Sequence, residues 1–197
     1  MGKVILRISM SLDGFIAGPQ DDLEHLFKWY FSGNTEIATH DGRKLLKLSP
    51  QSARVVEQLR QTSGAMVVGR RVFDFAGAWD GHPPITPTFI VTHTVPGQWA
   101  REGSPFTFVT DGVQSAIRQA KAVAGEKNVI VETPSMMQQC LKAGLLDEMH
   151  VDLVPVLLGS GTRLFDDLES IAPLELESIR VIEAPGVIHL AYRVIKK

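Results

Sequence analysis

Apolar residues along this chain gather in short runs bounded by Gly, Pro, Asp and Ser, and these runs alternate with stretches of helical spacing. Val4 to Met10 reads as a first buried strand. Ser49-Pro50 opens a helix, with Ser as the cap and Pro at the first helical position. Val55, Val56 and Leu59 supply its apolar face, and Gly64 is expected to end it. Ala65 to Val68 predicts a short strand, followed at once by Gly69-Arg70-Arg71 and a short helix from about Arg71 to Phe75. Strands are expected over Thr88–Thr92 and Phe106–Thr110. Asp111 then caps a helix whose apolar stripe is Val113, Ile117, Ala120 and Ala124, closed by Gly125.

Asn128 to Glu132 predicts a further strand, and Thr133-Pro134 starts a helix that ends at Gly144. Glu148 to Val156 is a strand leading into the Gly-rich turn Leu158-Gly159-Ser160-Gly161. The last two strands, near Leu174–Glu183 and Val187–Ile195, flank Ala184-Pro185-Gly186 and read as a hairpin. Strands alternating with helices imply a mainly parallel sheet with helices on both faces, and the hairpin adds an antiparallel edge. In such sheets ligands sit outside the carboxyl ends of the strands. Segment 18–48 has no clear period and reads as a long loop, interrupted by the aromatic patch Leu26, Phe27, Trp29, Tyr30 and Phe31. It is either a surface loop pinned by those aromatics or a cover or subunit contact.

A length of 197 residues suits one large domain, taken here as residues 1–197. The formal net charge of −2 and the absence of a Lys/Arg cluster argue against a nucleic-acid partner. Charge returns at Arg7, so the N-terminus has no secretory apolar core, and no apolar run is long enough to span a membrane. The cytoplasm is the expected location. Cys140 is the single cysteine, which excludes an internal disulfide and multi-cysteine metal sites. His25, His40, His82, His93, His150 and His189 are scattered with no i, i+4 pair, so no metal is expected. His150 and His189 fall in alternating strands and read as half-exposed structural residues.

The candidate chemistry lies at strand ends. Ser9-Met10-Ser11-Leu12-Asp13-Gly14-Phe15-Ile16-Ala17-Gly18 follows the first strand, and Asp13-Gly14 makes a tight turn there. Val67-Val68-Gly69-Arg70-Arg71-Val72-Phe73 places backbone N–H groups and two arginines at a helix start, a modest phosphate signal beside the reading of solvated arginines. Phe89-Ile90-Val91-Thr92-His93-Thr94 brings hydroxyls and an imidazole to another strand end. Val129-Ile130-Val131-Glu132-Thr133-Pro134-Ser135 runs from a strand into a capped helix. Ala143 to Val151 and Val154 to Phe165 complete the set.

In this order, the motifs resemble the dihydrofolate-reductase-like family, in the branch of the C-terminal reductase domain of the bifunctional riboflavin-biosynthesis deaminase/reductase. Ser11-Leu12-Asp13-Gly14, Val68-Gly69-Arg70-Arg71 and Leu158-Gly159-Ser160-Gly161 with Leu164-Phe165 carry most of the resemblance, which runs from about Val4 to Val194. It implies an α/β fold with a mainly parallel central sheet, helices on both faces and a C-terminal antiparallel hairpin. It also implies NADPH across the strand ends. Ile16 and Ala17 would line the nicotinamide; Gly69, Arg70 and Arg71 would meet phosphates. Thr92 and His93 would lie near the 2′-phosphate and adenine. Glu132, Thr133, Pro134, Ser135, Met136 and Met137 would sit under the pyrophosphate. A hydride would pass to a C=N or C=C bond of a small heterocyclic or imine-like substrate. Relatives in this branch are commonly dimers, and the faces of Met149–Val156 and Val187–Val194 are candidates for pairing across a two-fold axis.

One departure bears on function. The family places adjacent glycines where this chain has Glu132 and Thr133, followed by Pro134. A like charge about 4 Å from a phosphate costs roughly 4 kcal/mol at an effective dielectric near 20, or about a thousandfold in affinity. Pro134 also lacks a backbone donor. Glu132 pointing away, hydroxyls of Thr133 and Ser135 replacing amides, or a cis Thr133–Pro134 bond would reconcile the sequence with NADPH. The proton donor is open as well: Asp13 is the family-aligned candidate, Asp21, Asp22 and Asp41 lie in the long loop, and water could serve. The alternative function is a non-catalytic ligand-binding or interaction protein on the same fold. A zinc deaminase is excluded by the lack of His-x-Glu and of a Cys-x-x-Cys pair. Gly159-Ser160-Gly161 lacks the wider frame of a hydrolase nucleophile and reads as a turn.

Overall fold

In the computed structural model, which describes residues 2–39 and 42–196, Val4–Ser11 forms β1 and Phe15–Ala17 forms β2. Asp41 and His40 lie outside the described residues. The expected loop 18–48 instead contains a short helix, α1 (Glu24–Phe27), and a hairpin of β3 (Thr35–Ala38) and β4 (Leu45–Leu48). Helix α2 (Pro50–Thr62) hands over directly to β5 (Ser63–Gly69), which leads to α3 (Arg70–Phe75), β6 (Thr88–Val91) and β7 (Phe106–Val109). Next come α4 (Val113–Ala124), β8 (Asn128–Val131), α5 (Pro134–Lys142) and β9 (Glu148–Val154). The chain closes with β10 (Thr162–Arg163), β11 (Leu176–Ala184) and β12 (Val187–Val194).

The chain divides into two compact units, Met1–Leu6 with Arg60–Asp147, and Arg7–Leu59 with Glu148–Lys197. β1 contributes to both; the hydrogen-bonded strand order is β1-β8-β5-β6-β7 in the first unit and β11-β12-β9-β1 in the second. In the first unit β1, β8, β5, β6 and β7 pair in parallel. Ala65–Val68 and Val129–Val131 are buried throughout, as strands of a parallel sheet are when both faces are covered. Ala116, Ile117, Ala120 and Ala124 of α4 are buried, the stripe read from the sequence. In the second unit β9, β12 and β11 pair in antiparallel fashion, with Ala184 opposite Val187 at the tip of the closing hairpin. The expected α/β class, the mainly parallel sheet and the C-terminal antiparallel pair are all present.

Most element ends shift by one or two residues from the sequence reading, and three differences have a distinct local reason. Gly64 does not end α2; it belongs to β5, and a Cβ there would fall 2.8 Å from Lys127 Cβ and 2.9 Å from Ala124 Cα. The glycine serves close packing against the end of α4 rather than capping. Gly112, not Asp111, occupies the cap position of α4, at φ 94°. Segment 18–48 owes its order to burial: Leu26, Trp29 and Leu48 share a core with Ala53, Val56, Val154 and Val187. Phe27 and Phe31 stay exposed. Gly33 crosses β4 so closely that a Cβ would sit 1.9 Å from the Leu48 carbonyl carbon. No helix among the described residues is long and apolar enough to cross a membrane.

Candidate active site

The carboxyl ends of neighbouring strands β8, β5 and β6 carry the first unit's candidate residues. Met66 pairs with Ile130 and with Thr88, and Gly69 with Val91, so Thr133, Gly69 and Thr92 follow adjacent strand ends. A Cβ placed on Gly69 would come within 3.7 Å of Ser135 Oγ and 3.8 Å of Thr133 Oγ1. The hydroxyls of α5 therefore border the backbone at Gly69.

Thr133 caps α5 in extended conformation, and its Oγ1 accepts the Met136 N–H at 3.3 Å. The Met137 N–H goes to the Thr133 carbonyl at 2.9 Å. Pro134 brings no N–H. Ser135 thus supplies the backbone donor that helix geometry leaves over, joined by its own hydroxyl and that of Thr133. The Thr133–Pro134 bond is not among the cis bonds, which are Thr86–Pro87 and Ala172–Pro173, so that route to reconciliation is corrected. Glu132 is half-buried and engaged within the chain. Met136 and Met137 are buried in the core of the unit and present no polar group to a ligand.

Arg70 is committed inside the chain. Its Nε donates to both carboxylate oxygens of Asp74, one helical turn on, at 2.8 Å, and Nη1 donates to the Thr94 carbonyl at 3.0 Å. Thr92 is buried and folds back on its own turn, donating to the Thr94 carbonyl at 2.9 Å. Arg71 and His93 are exposed.

In the second unit Asp13 is an acceptor. Ser11 Oγ donates to Asp13 Oδ1 at 2.6 Å, the Leu158 N–H to Oδ1 at 3.1 Å and the Gly159 N–H to Oδ2 at 2.7 Å. Ser11 foremost, with the two amides, draws its pKa down to about 2. At neutral pH it is an ionised carboxylate with no proton to give, which makes it ill suited as the acid sought from the sequence. Ile16 is half-buried and Ala17 buried on β2, which pairs with β10 through Ala17 and Thr162.

A group that the sequence reading missed lies deeper in the second unit. Asp152, His189, Ser52 and Ser49 form a buried hydrogen-bonded chain, with His189 Nδ1 2.6 Å from Asp152 Oδ1 and Nε2 2.9 Å from Ser52 Oγ. Ser49 Oγ donates to Ser52 Oγ at 3.0 Å, and Arg7 Nη2 lies 3.4 Å from the second oxygen of Asp152. Hydroxyl, imidazole and carboxylate follow one another as in a hydrolase, but Ser52 is only 1% exposed and acts as a structural link to α2. His189, read as half-exposed, is 3% exposed. The signal was the polar triplet Glu148, His150 and Asp152 at every second position of an otherwise apolar strand.

A mainly parallel α/β sheet with polar turns at its strand ends belongs to the class of folds that bind ligands outside the carboxyl ends of their strands. The model of the RibD C-terminal domain matches residues 2–188, and the chain belongs to that family. It is similar to the uncharacterized protein YwjB of Bacillus subtilis, 23% identical over 185 residues, covering 90% of this chain and 91% of that one. The fold is shared with a protein of Shewanella sp. PV-4 assigned by its name to riboflavin biosynthesis (TM-score 0.75, 22% identity, 98% and 99% of the two chains). It is also shared with dihydrofolate reductase from Enterococcus faecalis, solved with NADP(H) and RAB-propyl (TM-score 0.59, 13% identity, 99% and 98%).

Proposed function

We propose that this protein is an NADPH-dependent oxidoreductase that passes a hydride to a C=N or C=C bond of a small heterocyclic or imine-like substrate. The observation that carries this reading is the meeting of Thr133, Ser135 and Gly69 at adjacent strand ends, in a chain matched to the RibD C-terminal domain over residues 2–188. Gly69 has room for a close approach, bordered by the hydroxyls of Ser135 and Thr133 and by the Met136 methyl group, 3.9 Å from a Cβ placed there. NADPH, when bound, supplies the hydride. Ser135 N–H and the hydroxyls of Thr133 and Ser135 would hold phosphate oxygens, and Arg71 would add charge. Ile16 and Ala17 would bound the nicotinamide. Asp13 is ionised, so the proton that follows the hydride is assigned to solvent. A homodimer accompanies this reading: Leu153, Ile188, Leu190 and Tyr192 share one half-buried face of β9 and β12, with exposed Val181 beside Leu190.

A second reading has its own observation. Pro134, the self-capped start of α5, Glu132 and the engagement of Arg70 with Asp74 all reduce what is offered to a pyrophosphate. They favour a non-catalytic ligand-binding or interaction protein on this fold. Calorimetric titration with NADPH and then NADH separates the two. Micromolar binding of NADPH is expected; no binding of either nucleotide would defeat the reductase reading.

A further inference from the structure

The turn between β1 and β2 is joined to residues 156–164 along its whole length. The Leu12 N–H donates to the Val156 carbonyl at 2.9 Å, and the Leu164 N–H to the Gly14 carbonyl at 3.0 Å. Ala17 pairs with Thr162 and Phe15 with Arg163, whose guanidinium lies 4.5 Å over the Phe15 ring. Gly161 approaches the Ala17 carbonyl so closely that a Cβ would fall 2.0 Å from its oxygen.

This strap has no core of its own. From Pro155 to Arg163 no residue is fully buried, and Leu157 is 69% exposed; Val156 and Leu158 pack half-buried against the core around Trp29, but from Gly159 onward packing does not fix the strap. Backbone bonds and one carboxylate do. Asp13 grips the Leu158 and Gly159 amides, and through Ser11 Oγ it also braces the Phe15 N–H, which donates to that hydroxyl at 2.9 Å. The same side chain therefore ties the strap to the turn and the turn to the first residue of β2.

We propose that Asp13 is a positioning residue: by clasping the strap at Leu158–Gly159 and bracing Phe15 through Ser11, it sets where Ile16 and Ala17 stand against the nicotinamide ring. This rests on the reductase reading above. Asp13 spends both carboxylate oxygens inside the chain and acts through β2. The family resemblance assigns the dinucleotide's adenosine end to other residues, Thr92 and His93.

The test uses the full chain with Asp13→Ala and Asp13→Asn, titrated with NADPH and with adenosine 2′,5′-bisphosphate, which lacks the nicotinamide. Amide hydrogen exchange is read at Phe15 and Leu164. Asp13→Ala is expected to weaken NADPH about tenfold while leaving the bisphosphate within about twofold. Exchange at Phe15 and Leu164 should accelerate about tenfold. Asp13→Asn keeps one acceptor oxygen and should fall between. Unchanged exchange at both amides, or equal weakening of both ligands, overturns the proposal. If the unmodified protein binds neither NADPH nor NADH, the reductase reading fails by itself, and with it the role toward the nicotinamide; the exchange data then still decide whether Asp13 holds β2.

Discussion

His189 Nδ1 stands 2.6 Å from Asp152 Oδ1, and the two residues face each other directly in the β9–β12 register. With a proton on Nδ1 donated to Asp152, the bonds around them are met. Nε2 then accepts from Ser52, which accepts from Ser49, whose oxygen also takes the Ser52 N–H at 3.1 Å. The N-terminal cap of α2 is thereby fastened to the antiparallel strands. His189→Ala strips Asp152 of a donor and Ser52 of an acceptor, and is expected to cost about 3 kcal/mol. Ser52→Ala should cost about 1 kcal/mol, and the double variant less than the sum. Urea denaturation of the four proteins measures this coupling.

Gly77 to Gly81 form a left-handed turn in which Ala78, Trp79 and Asp80 sit at φ 51°, 48° and 51°. Each L-residue there bears strain of roughly 1–2 kcal/mol. Asp80 is exposed, so its backbone can be tested with little loss of packing. Asp80→Gly and Asp80→Val remove the same side-chain interaction, so their difference isolates the backbone: Gly is expected to be the more stable of the two by about 1 kcal/mol or more. Thermal melts that rank Gly above Val would agree; the reverse order would not.

His150 is held below the ordinary histidine range chiefly by burial, helped by the charges of Arg180 and Arg7 and opposed by the Glu148 carboxylate 2.9 Å from its Nε2. Its folded pKa thus lies below the unfolded one. As pH falls through the unfolded value, the unfolded chain takes up a proton that the folded chain refuses, and stability drops until the folded value is passed. The unmodified protein is expected to lose stability from about pH 7 to pH 5 more steeply than His150→Asn. Equal slopes in denaturant titrations at several pH values would contradict this.

Glu132 stands immediately before the cap of α5, at a position where the family resemblance implies glycine. If NADPH phosphates lie there, removing the charge strengthens binding. Glu132→Gln is expected to tighten NADPH by about tenfold or more, measured by calorimetry, with a smaller effect at high salt. Thr133→Ala, which removes the cap, should cost about 1 kcal/mol of stability, and Thr133→Ser should restore most of it.

The sequence by itself determined the alternation of elements, because apolar period and cap chemistry are local. Val113 to Ala124 read as a helical stripe and Thr133 as a cap, and each stands so in the structure; Val187 to Ile195 read as a hairpin arm, which the structure ends at Val194. The strand ends that bring Thr133, Gly69 and Thr92 together were legible for the same reason. Tertiary structure decided what depends on partners far along the chain. Gly64 looked like a helix stop and is a point of contact with Ala124. Trp29 looked like part of a loop and is a core residue beside His189. Asp13 looked like an acid and is an ionised acceptor, because the amides it binds belong to Leu158 and Gly159. Spacing in sequence cannot carry a hydrogen bond formed across such a separation; only the folded backbone brings its two ends within reach.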